Sequence, residues 1–474
     1  MGRDTPSTTT AFNKLPIELN KAIAHYLETD KDISNYSQLC RATSHAVDGD
    51  NLSFWRTKFR EKYACKAGVP NKDLKQKYTL RSKWLYRGTG VKFVRGHGKD
   101  ERQVVEILAE MINETFQGPA QLDEEGHPRC PNQVQLLKFI MDSRILLDKS
   151  RPPPPKKGQP TYVDQRLAAV KLMCAHFLFD LEGLNQYVFA VEESQQAVYA
   201  PTNEAPIYTG PSKTDVNLEW VLHCLNFFRH HMTNKHASQL CDKMRDLPAS
   251  QKPSVWRGPL KNGSHPLGKY WKGTYAYLEN PDLQKFRRMS EDKKKALRTE
   301  DIYFADMNVE EGQIQSLQID SIKEGGMKWP QIFEDRLQSL RKISNEDHPT
   351  RTRAQHKVDY SKDIQLTGWG HDYDDDFYSL GWLNPLPEQG GIPGWQRITL
   401  MKHFLDEFEQ EIEEDNLWAY EGVVLPGGRI ILGRWWYATD EVDFDNDYNG
   451  PFILWAVDEP DLEDEEGTQA EDDA

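Results

Sequence analysis

Cysteine is scarce in this chain of 474 residues: six, at positions 40, 65, 130, 174, 224 and 241, with no Cys-x-x-Cys pair. That spacing argues against a zinc knuckle or a disulfide framework and suits a reducing interior. Long apolar runs are missing as well. No stretch of about 18 consecutive apolar residues occurs, so no spanning helix is expected. The opening residues, Met1 to Lys14, lack the apolar core of a secretory signal, and Pro6 stands where a myristoylation signal needs Ser or Thr. Positive charge is in deficit: 59 Lys and Arg face 74 Asp and Glu, a net charge of −15. Non-specific binding to nucleic acid or to an anionic membrane is therefore disfavoured, and neither partner is expected. Catalytic signatures are missing too. The chain carries no HExxH, GxSxG or GxxxxGK[ST] motif, so it is read as a non-enzyme without cofactor or metal.

Aromatic residues, by contrast, are plentiful: 13 Trp, 19 Tyr and 19 Phe. A disordered chain does not carry so many rings, and the length suffices for two or three domains. The first 11 residues are polar and read as disordered. From about Glu101 to Leu247 apolar residues recur at helical spacing. Val104, Val105, Leu108, Met111 and Ile112 form one series; Val134, Leu137, Met141 and Ile145 a second; Leu167, Val170, Cys174, Phe177 and Leu181 a third. The proline run after Arg151 cannot be helical and reads as a spacer.

Beyond Val255 the pattern changes to short β-rich runs between Gly, Pro and Asp clusters. Candidate strands are Trp271–Leu278, Ile302–Phe304, Ile314–Ile319, Asp363–Trp369, Phe377–Trp382, Trp395–His403, Trp418–Leu425, Arg429–Trp436 and Pro451–Val457. Pro426-Gly427-Gly428 is a hairpin turn between two of them. Roughly nine strands with local connections predict a closed antiparallel barrel. Charged helices are expected at Lys285–Arg298 and Trp329–Arg341, and residues 459–474, with nine acids and no base, read as a solvated tail.

The block from Phe12 to Phe59 reads as a three-helix unit. Pro16 sits in a first helical turn, where a missing N–H costs nothing. Leu19, Ile23, Tyr26 and Leu27 share one face. Ile33, Tyr36 and Leu39 or Cys40 form the next stripe, residues 40–43 end it, and Phe54-Trp55 with Phe59 make the third. The series LPIELNKAIAHYL, ISNYSQLCRAT and then Phe54-Trp55 resembles an F-box. The resemblance implies docking onto a Skp1-like adaptor and, through it, a cullin. Leu15, Pro16, Ile17, Leu19, Ile23 and Leu27 are then the candidate adaptor-binding residues. A helical unit of this size has little core of its own, so apolar side chains can serve a partner.

In the C-terminal half, Trp271-Lys-Gly-Thr-Tyr-Ala-Tyr-Leu, the stretch Leu366-Thr-Gly-Trp-Gly-His-Asp with Phe377-Tyr-Ser-Leu-Gly, and the segment from Tyr420 to Trp436 resemble the calycin-like barrel of some F-box substrate receptors. That resemblance implies a mouth or rim that clamps a peptide of an unknown protein substrate. Candidate residues are Trp369, His371, Trp382, Arg429, Arg434 and Trp436, because Arg forks onto carboxylates and Trp gives rigid contact area. Taken singly, such rings are more often barrel core.

Other clusters carry less. The stretch from Asp443 imitates a calcium loop but has Tyr448 and Leu454 where Gly and Glu are required. His371 with Asp372, Asp374, Asp375 and Asp376 could chelate a cation but reads as a solvated loop. His230, His231 and His236 suit a helix C-terminus. Cys174 and Cys224 read as small buried hydrophobes, and Lys293–Lys295 is a weak nuclear address.

The expectation is therefore an α+β multidomain chain: a disordered start at 1–11, an F-box at 12–63, a helical linker domain at 64–250, an antiparallel β-barrel substrate domain at 251–458 and an acidic tail at 459–474. Its expected role is substrate recognition in a Skp1–cullin–F-box ubiquitin ligase, in the cytoplasm, the nucleus or both. The alternatives are an F-box scaffold outside a ligase and a small-ligand-binding calycin-like protein.

Overall fold

The computed structural model describes residues 11–119, 121–122, 128–146, 162–179, 188–288, 304–322, 328–336, 363–373, 375–406, 411–438 and 449–459. The fold is α+β, with many helices and a closed antiparallel barrel in the C-terminal region. Two compact units emerge, the first made of the described residues of Met1–Lys92, His97–Arg144 and Arg257–Pro259. The second takes those of Phe93–Gly96, Ile145–Trp256 and Leu260–Ala474. The helical stretch 64–250 is thus shared between the units. The proline run after Arg151, Leu181, Lys293–Lys295, the calcium-loop imitation from Asp443 to Tyr448, residues 1–10 and the tail beyond Glu459 lie outside the described residues.

The first unit holds helices α1 (Ile17–Tyr26), α2 (Asp30–Ser37), α3 (Arg41–Asp48), α4 (Ser53–Lys62), α5 (Asn71–Gly88), α6 (Lys99–Asn113) and α7 (Pro131–Asp142). Four helices, rather than three, occupy residues 17–62. Cys40 starts a helix instead of ending one: its backbone N–H donates to Thr43 Oγ1 at 3.1 Å, a capping arrangement that launches α3. The core is built of rings. Trp55 lies 5.3 Å from Phe54 and 5.4 Å from Tyr78, and Phe59 lies 5.1 Å from Tyr63. Arg81, fully buried, sits 5.0 Å from the Tyr63 ring and pairs with Glu114 at 2.6 Å, which fastens α5 to α6. On α7 the buried face is Leu136, Phe139 and Ile140, while Val134 and Met141 of the expected stripe are exposed. Gly88 supplies the reason: a Cβ there would meet the Phe139 ring at 2.8 Å, so the missing side chain makes the seat that draws Phe139 inward.

The second unit holds α8 (Gln165–Ala175), α9 (Val191–Val198), α10 (Leu218–Thr233), α11 (Leu240–Asp246) and α12 (Asn280–Arg287) together with the barrel. Helix α10 is buried around most of its circumference, because α8 and α9 pack on it from one side and the barrel wall from the other. The barrel strands are β1 (Tyr270–Tyr275), β2 (Gln315–Ser321), β3 (Ile364–Asp372), β4 (Asp375–Pro385), β5 (Gln396–Leu405), β6 (Ile412–Val424), β7 (Ile430–Tyr437) and β8 (Asn449–Ala456). Each pairs antiparallel with its sequence neighbour, and β8 closes on β1. Eight of the nine expected runs become strands. In the ninth, 302–304, only Phe304 lies among the described residues, and it is irregular.

Strict alternation fills the barrel. Trp271, Leu317, Ile319, Leu366, Phe377, Leu383, Ile398, Leu400, Tyr420, Ile431, Trp435, Phe452 and Leu454 point inward. Between them stand glycines, each opposite a larger partner: Gly370 faces Phe377, Gly381 faces Leu400, and Gly433 faces Phe452. The rings lie over the bare backbone: a Cβ at Gly370 would meet the Phe377 ring at 2.6 Å, and one at Gly433 would meet the Phe452 ring at 2.6 Å. The β6–β7 turn is the expected hairpin: Leu425 N donates to Ile430 O at 2.9 Å, and Gly427 and Gly428 both take positive φ.

Candidate functional site

Two regions carry the candidate residues, one in each unit. In the first unit, helix α1 turns an unexpected face inward. Its buried residues are Asn20 and Ala24. Asn20 is fully saturated, its amide donating to Phe12 O at 3.0 Å and Leu15 O at 3.3 Å while its Oδ1 accepts from the Tyr36 hydroxyl at 2.8 Å. A buried amide with all its bonds made locks the helix rotation. The aliphatic side chains are consequently left outside. Leu15, Ile17, Ile23 and Leu27 are only half-buried, Pro16 is exposed, and Leu19 is 51% exposed. Tyr26, one turn beyond Ile23, is 87% exposed, and Leu39 after α2 is exposed too. None of the six residues expected at an adaptor interface belongs to the unit's core. Leu19, Tyr26 and Leu39 are thus exposed apolar side chains on a small helical unit.

In the second unit, the six candidate barrel residues do not converge. Trp369 and His371 point outward from β3 and are exposed. Trp382 also points outward, from β4, but is half-buried near Trp329, with ring centroids 6.3 Å apart. Arg429, in the β6–β7 turn, is a clamp, bonded to Ser254 Oγ at 3.0 Å and Ala456 O at 2.8 Å. Arg434 is fully buried beneath α10, its guanidinium 4.8 Å from the Trp220 ring, and burial pulls it below the usual guanidinium range. Trp436 is buried under Phe333 with Met401 and Leu417. Arg434 and Trp436 are therefore wall packing, not rim, because even-numbered positions of β7 face away from the barrel axis.

The barrel mouth is instead formed by residues outside that set. It lies where β1, β3, β5 and β7 end. Lys402 of β5 and Asp372 of β3 both point inward and form an ion pair, each almost fully buried. The Lys402 ammonium lies 4.2 Å from the Phe377 centroid, 5.4 Å from Phe404 and 5.9 Å from Tyr275. Burial lowers the Lys402 pKa, and Asp372 offsets part of that. The Tyr275 hydroxyl is raised, first by burial and then by the Asp372 charge. Trp435 stands 5.4 Å from Trp418 and 5.5 Å from Tyr275. The rings of Tyr275, Tyr277, Phe404 and Trp418 are half-exposed, so this end is an aromatic vestibule over a charged pair. At its base one cation and one anion are paired with each other, almost fully out of water. The opposite end is plugged by Leu366, Leu383, Ile398, Val424 and Ala456.

Sequence reasoning missed Lys402 and placed Asp372 in a solvated loop, yet a signal was present. In Ile398, Leu400, Lys402 and Phe404 the lysine occupies an inward step of an apolar alternation, and Asp372 does so after Leu366, Gly368 and Gly370. The His371–Asp376 grouping, read as a solvated loop, splits across the wall: His371 Nδ1 lies 3.1 Å from Asp376 outside, while Asp372 points inside, and Asp374 lies outside the described residues. Likewise His231 is buried against Asp306 at 3.3 Å, whereas His236 is exposed. No cluster of metal-ligating residues forms among the described residues. Cys174 and Cys224 are fully buried, and burial pushes the Cys174 thiol up to about 12. No helix among the described residues is long and apolar enough to cross a membrane.

Compared with protein-family models, with curated proteins and with solved structures, the chain matches none.

Proposed function

We propose that this chain is the substrate-recognition subunit of a Skp1–cullin–F-box type ubiquitin ligase. The N-terminal helices recruit a Skp1-like adaptor, and the barrel holds a target protein. The observation that carries the reading is the rotation of α1, which buries Asn20 and Ala24 and leaves Leu15, Pro16, Ile17, Leu19, Ile23 and Leu27 outside the core. A helix that hides an amide and shows its aliphatic side chains is built for a second polypeptide. The barrel supports the other half of the reading. Its interior is filled by rings and aliphatic groups, which favours capture of a peptide at the vestibule over enclosure of a small molecule. Ubiquitin transfer itself belongs to other subunits. This chain supplies proximity, by holding adaptor and target together.

The test is capture of the chain by a purified Skp1-family adaptor, with recovery of a cullin from the same complex. The double substitution Leu15→Ala with Pro16→Ala should weaken adaptor binding by roughly thirtyfold, as expected for truncated apolar anchors, while the melting transition of the barrel is kept. Unchanged affinity would refute the assignment of the N-terminal unit. Adaptor binding without any cullin would favour a scaffold outside a ligase.

A further inference from the structure

Positive charge is concentrated in one stretch of a chain that is short of it overall. From Ser53 to Lys92, in the first unit, twelve Lys and Arg stand against two Asp and Glu, although the net charge of the chain is −15. Five of the twelve are matched by carboxylates. Lys58 pairs with Glu61, Lys62 with Asp30 and Lys75 with Asp48, while Lys77 and Arg81 share Glu110 and Glu114. On α5 three cations are left over: among the described residues no carboxylate pairs with Lys72, Lys83 or Arg87.

The turn of the helix sets these three on one side. Leu74, Tyr78, Arg81, Trp84 and Gly88 form the buried face of α5. At 3.6 residues per turn the opposite face holds Lys72, Gln76, Thr79, Lys83, Tyr86 and Arg87, and all six are exposed. Lys83 and Arg87 lie one turn apart, where like charges repel each other. Both are drawn to the Trp84 ring, whose centroid is 5.6 Å from the Lys83 ammonium and 5.1 Å from the Arg87 guanidinium. The negative end of the helix dipole eases their repulsion, but it gives no reason for Tyr86, which stands 82% exposed beside them. Carboxylates reach only the margin. Asp73 is exposed at the flank of the first turn, Asp48 is held by Lys75 and by the Trp55 indole at 2.7 Å, and Glu106 of α6 accepts from Gln103.

We propose that the outer face of α5 is a docking surface for an acidic peptide segment of a partner protein, whose carboxylates pair with Lys72, Lys83 and Arg87 and whose apolar groups lie on Tyr86. Unpaired cations on one face attract a negatively charged partner and reject a positively charged one, and the Arg87 guanidinium adds a fork that fits a carboxylate. The size of the face selects the occupant. From Lys72 to Arg87 it runs about 22 Å, the span of about seven residues of extended chain. A long polyanion also meets the negative surplus of the whole chain, so duplex DNA and an anionic membrane fit less well than a short segment. The candidate adaptor residues lie on α1 and just before it, and docking on α5 does not require that they recruit an adaptor.

The experiment uses the full chain and three labelled peptides of alternating Glu-Ser, Gln-Ser and Arg-Ser, titrated by fluorescence anisotropy. The Glu-Ser peptide should bind at least tenfold more tightly than the other two, and its affinity should fall as salt is raised. Lys83→Ser with Arg87→Ser should weaken it at least tenfold, and Tyr86→Ser at least threefold, with thermal melting unchanged because all three side chains are exposed. Lys72→Ser gives a second, independent loss should the double variant fold poorly. Lys14→Ser with Lys31→Ser removes two exposed cations elsewhere on the same unit and should change the affinity less than twofold, which separates the face from net charge. Equal affinity for the three peptides, or an equal loss in the Lys14 and Lys31 variant, overturns the proposal. So does tighter binding of a labelled DNA duplex than of the Glu-Ser peptide, since the face then serves nucleic acid. A concentration-dependent self-association, seen by sedimentation, that Lys83→Ser with Arg87→Ser abolishes also overturns it, because the occupant is then a second copy of the chain.

Discussion

Asp372→Asn should destabilise the barrel by about 3–5 kcal/mol, the usual cost of removing one partner from a buried ion pair. The substitution keeps the shape of the side chain and removes only its charge. Lys402 is then left charged among Phe377, Phe404 and Tyr275, with only the weaker pull of Asp375 to balance it. The paired change Asp372→Leu with Lys402→Met should recover all but about 1–2 kcal/mol, because two apolar groups of similar volume need no compensation. The pH dependence gives an independent check. Burial already holds Lys402 below the ordinary lysine value of 10.5, with Asp372 the main opposing influence, so its loss lowers the folded pKa further. A lysine whose folded pKa lies below its unfolded one is penalised wherever it must stay protonated. That penalty is complete below the folded pKa and is relieved as pH rises toward the unfolded value. The deficit of Asp372→Asn should therefore narrow as the solution is made alkaline. Urea unfolding followed by tryptophan fluorescence at several pH values measures both effects. A deficit below about 1 kcal/mol, or one that grows with pH, would show that the pair is not desolvated.

The barrel was legible in the sequence because its signal is local. Period-two alternation, Gly-rich strand ends and the Pro426-Gly427-Gly428 turn each act over a few residues, and closure follows once every strand pairs with its neighbour. What the sequence hid depends on partners far along the chain. Arg434 looked like a rim cation because nothing within β7 shows that Trp220, more than two hundred residues earlier, covers it. The inward face of helix α1 is set by Tyr36 and the carbonyls of Phe12 and Leu15, which satisfy Asn20. On α7 the vacancy at Gly88 selected Phe139 over the Val134–Met141 stripe. In the mouth, Lys402 and Asp372 stand at inward steps of apolar alternations, where charge is not expected. An ionised residue at an inward strand position is the more informative sign, since burying it requires a partner.

The interior glycines lead to a second large effect, in which two adjacent positions should behave differently. Gly422 and Gly433 face each other across β6 and β7, and both lie under the Phe452 ring. A Cβ at Gly433 would meet the Glu421 carbonyl oxygen at 2.2 Å and Gly422 Cα at 2.5 Å, both backbone atoms held in the strand ladder. A Cβ at Gly422 would meet first the tip of the Phe452 ring, at 2.9 Å, and then Ile431 Cγ2 at 3.1 Å, which are side-chain atoms with freedom to turn. Overpacking that only a backbone shift can relieve belongs at the upper end of the usual range, about 3 kcal/mol, whereas one relieved by a ring rotation belongs near 1 kcal/mol. Gly433→Ala should thus be the more damaging by about 2 kcal/mol, although the two changes add the same methyl group to the same layer of the core. Phe452→Leu sharpens the comparison. Shortening the ring opens the space that the methyl group added by Gly422→Ala would occupy, so those two changes together should cost less than the sum of their parts. A Cβ at Gly433 would also meet the Phe452 ring, at 2.6 Å, so the shortening relieves part of that clash too, but it leaves the Glu421 oxygen where it is, and the combination with Gly433→Ala should recover only the smaller share of its cost. Denaturant midpoints for the five variants decide the matter. Equal losses at the two glycines would mean that ring packing, rather than the close approach of β6 to β7, is what keeps a side chain out of both positions.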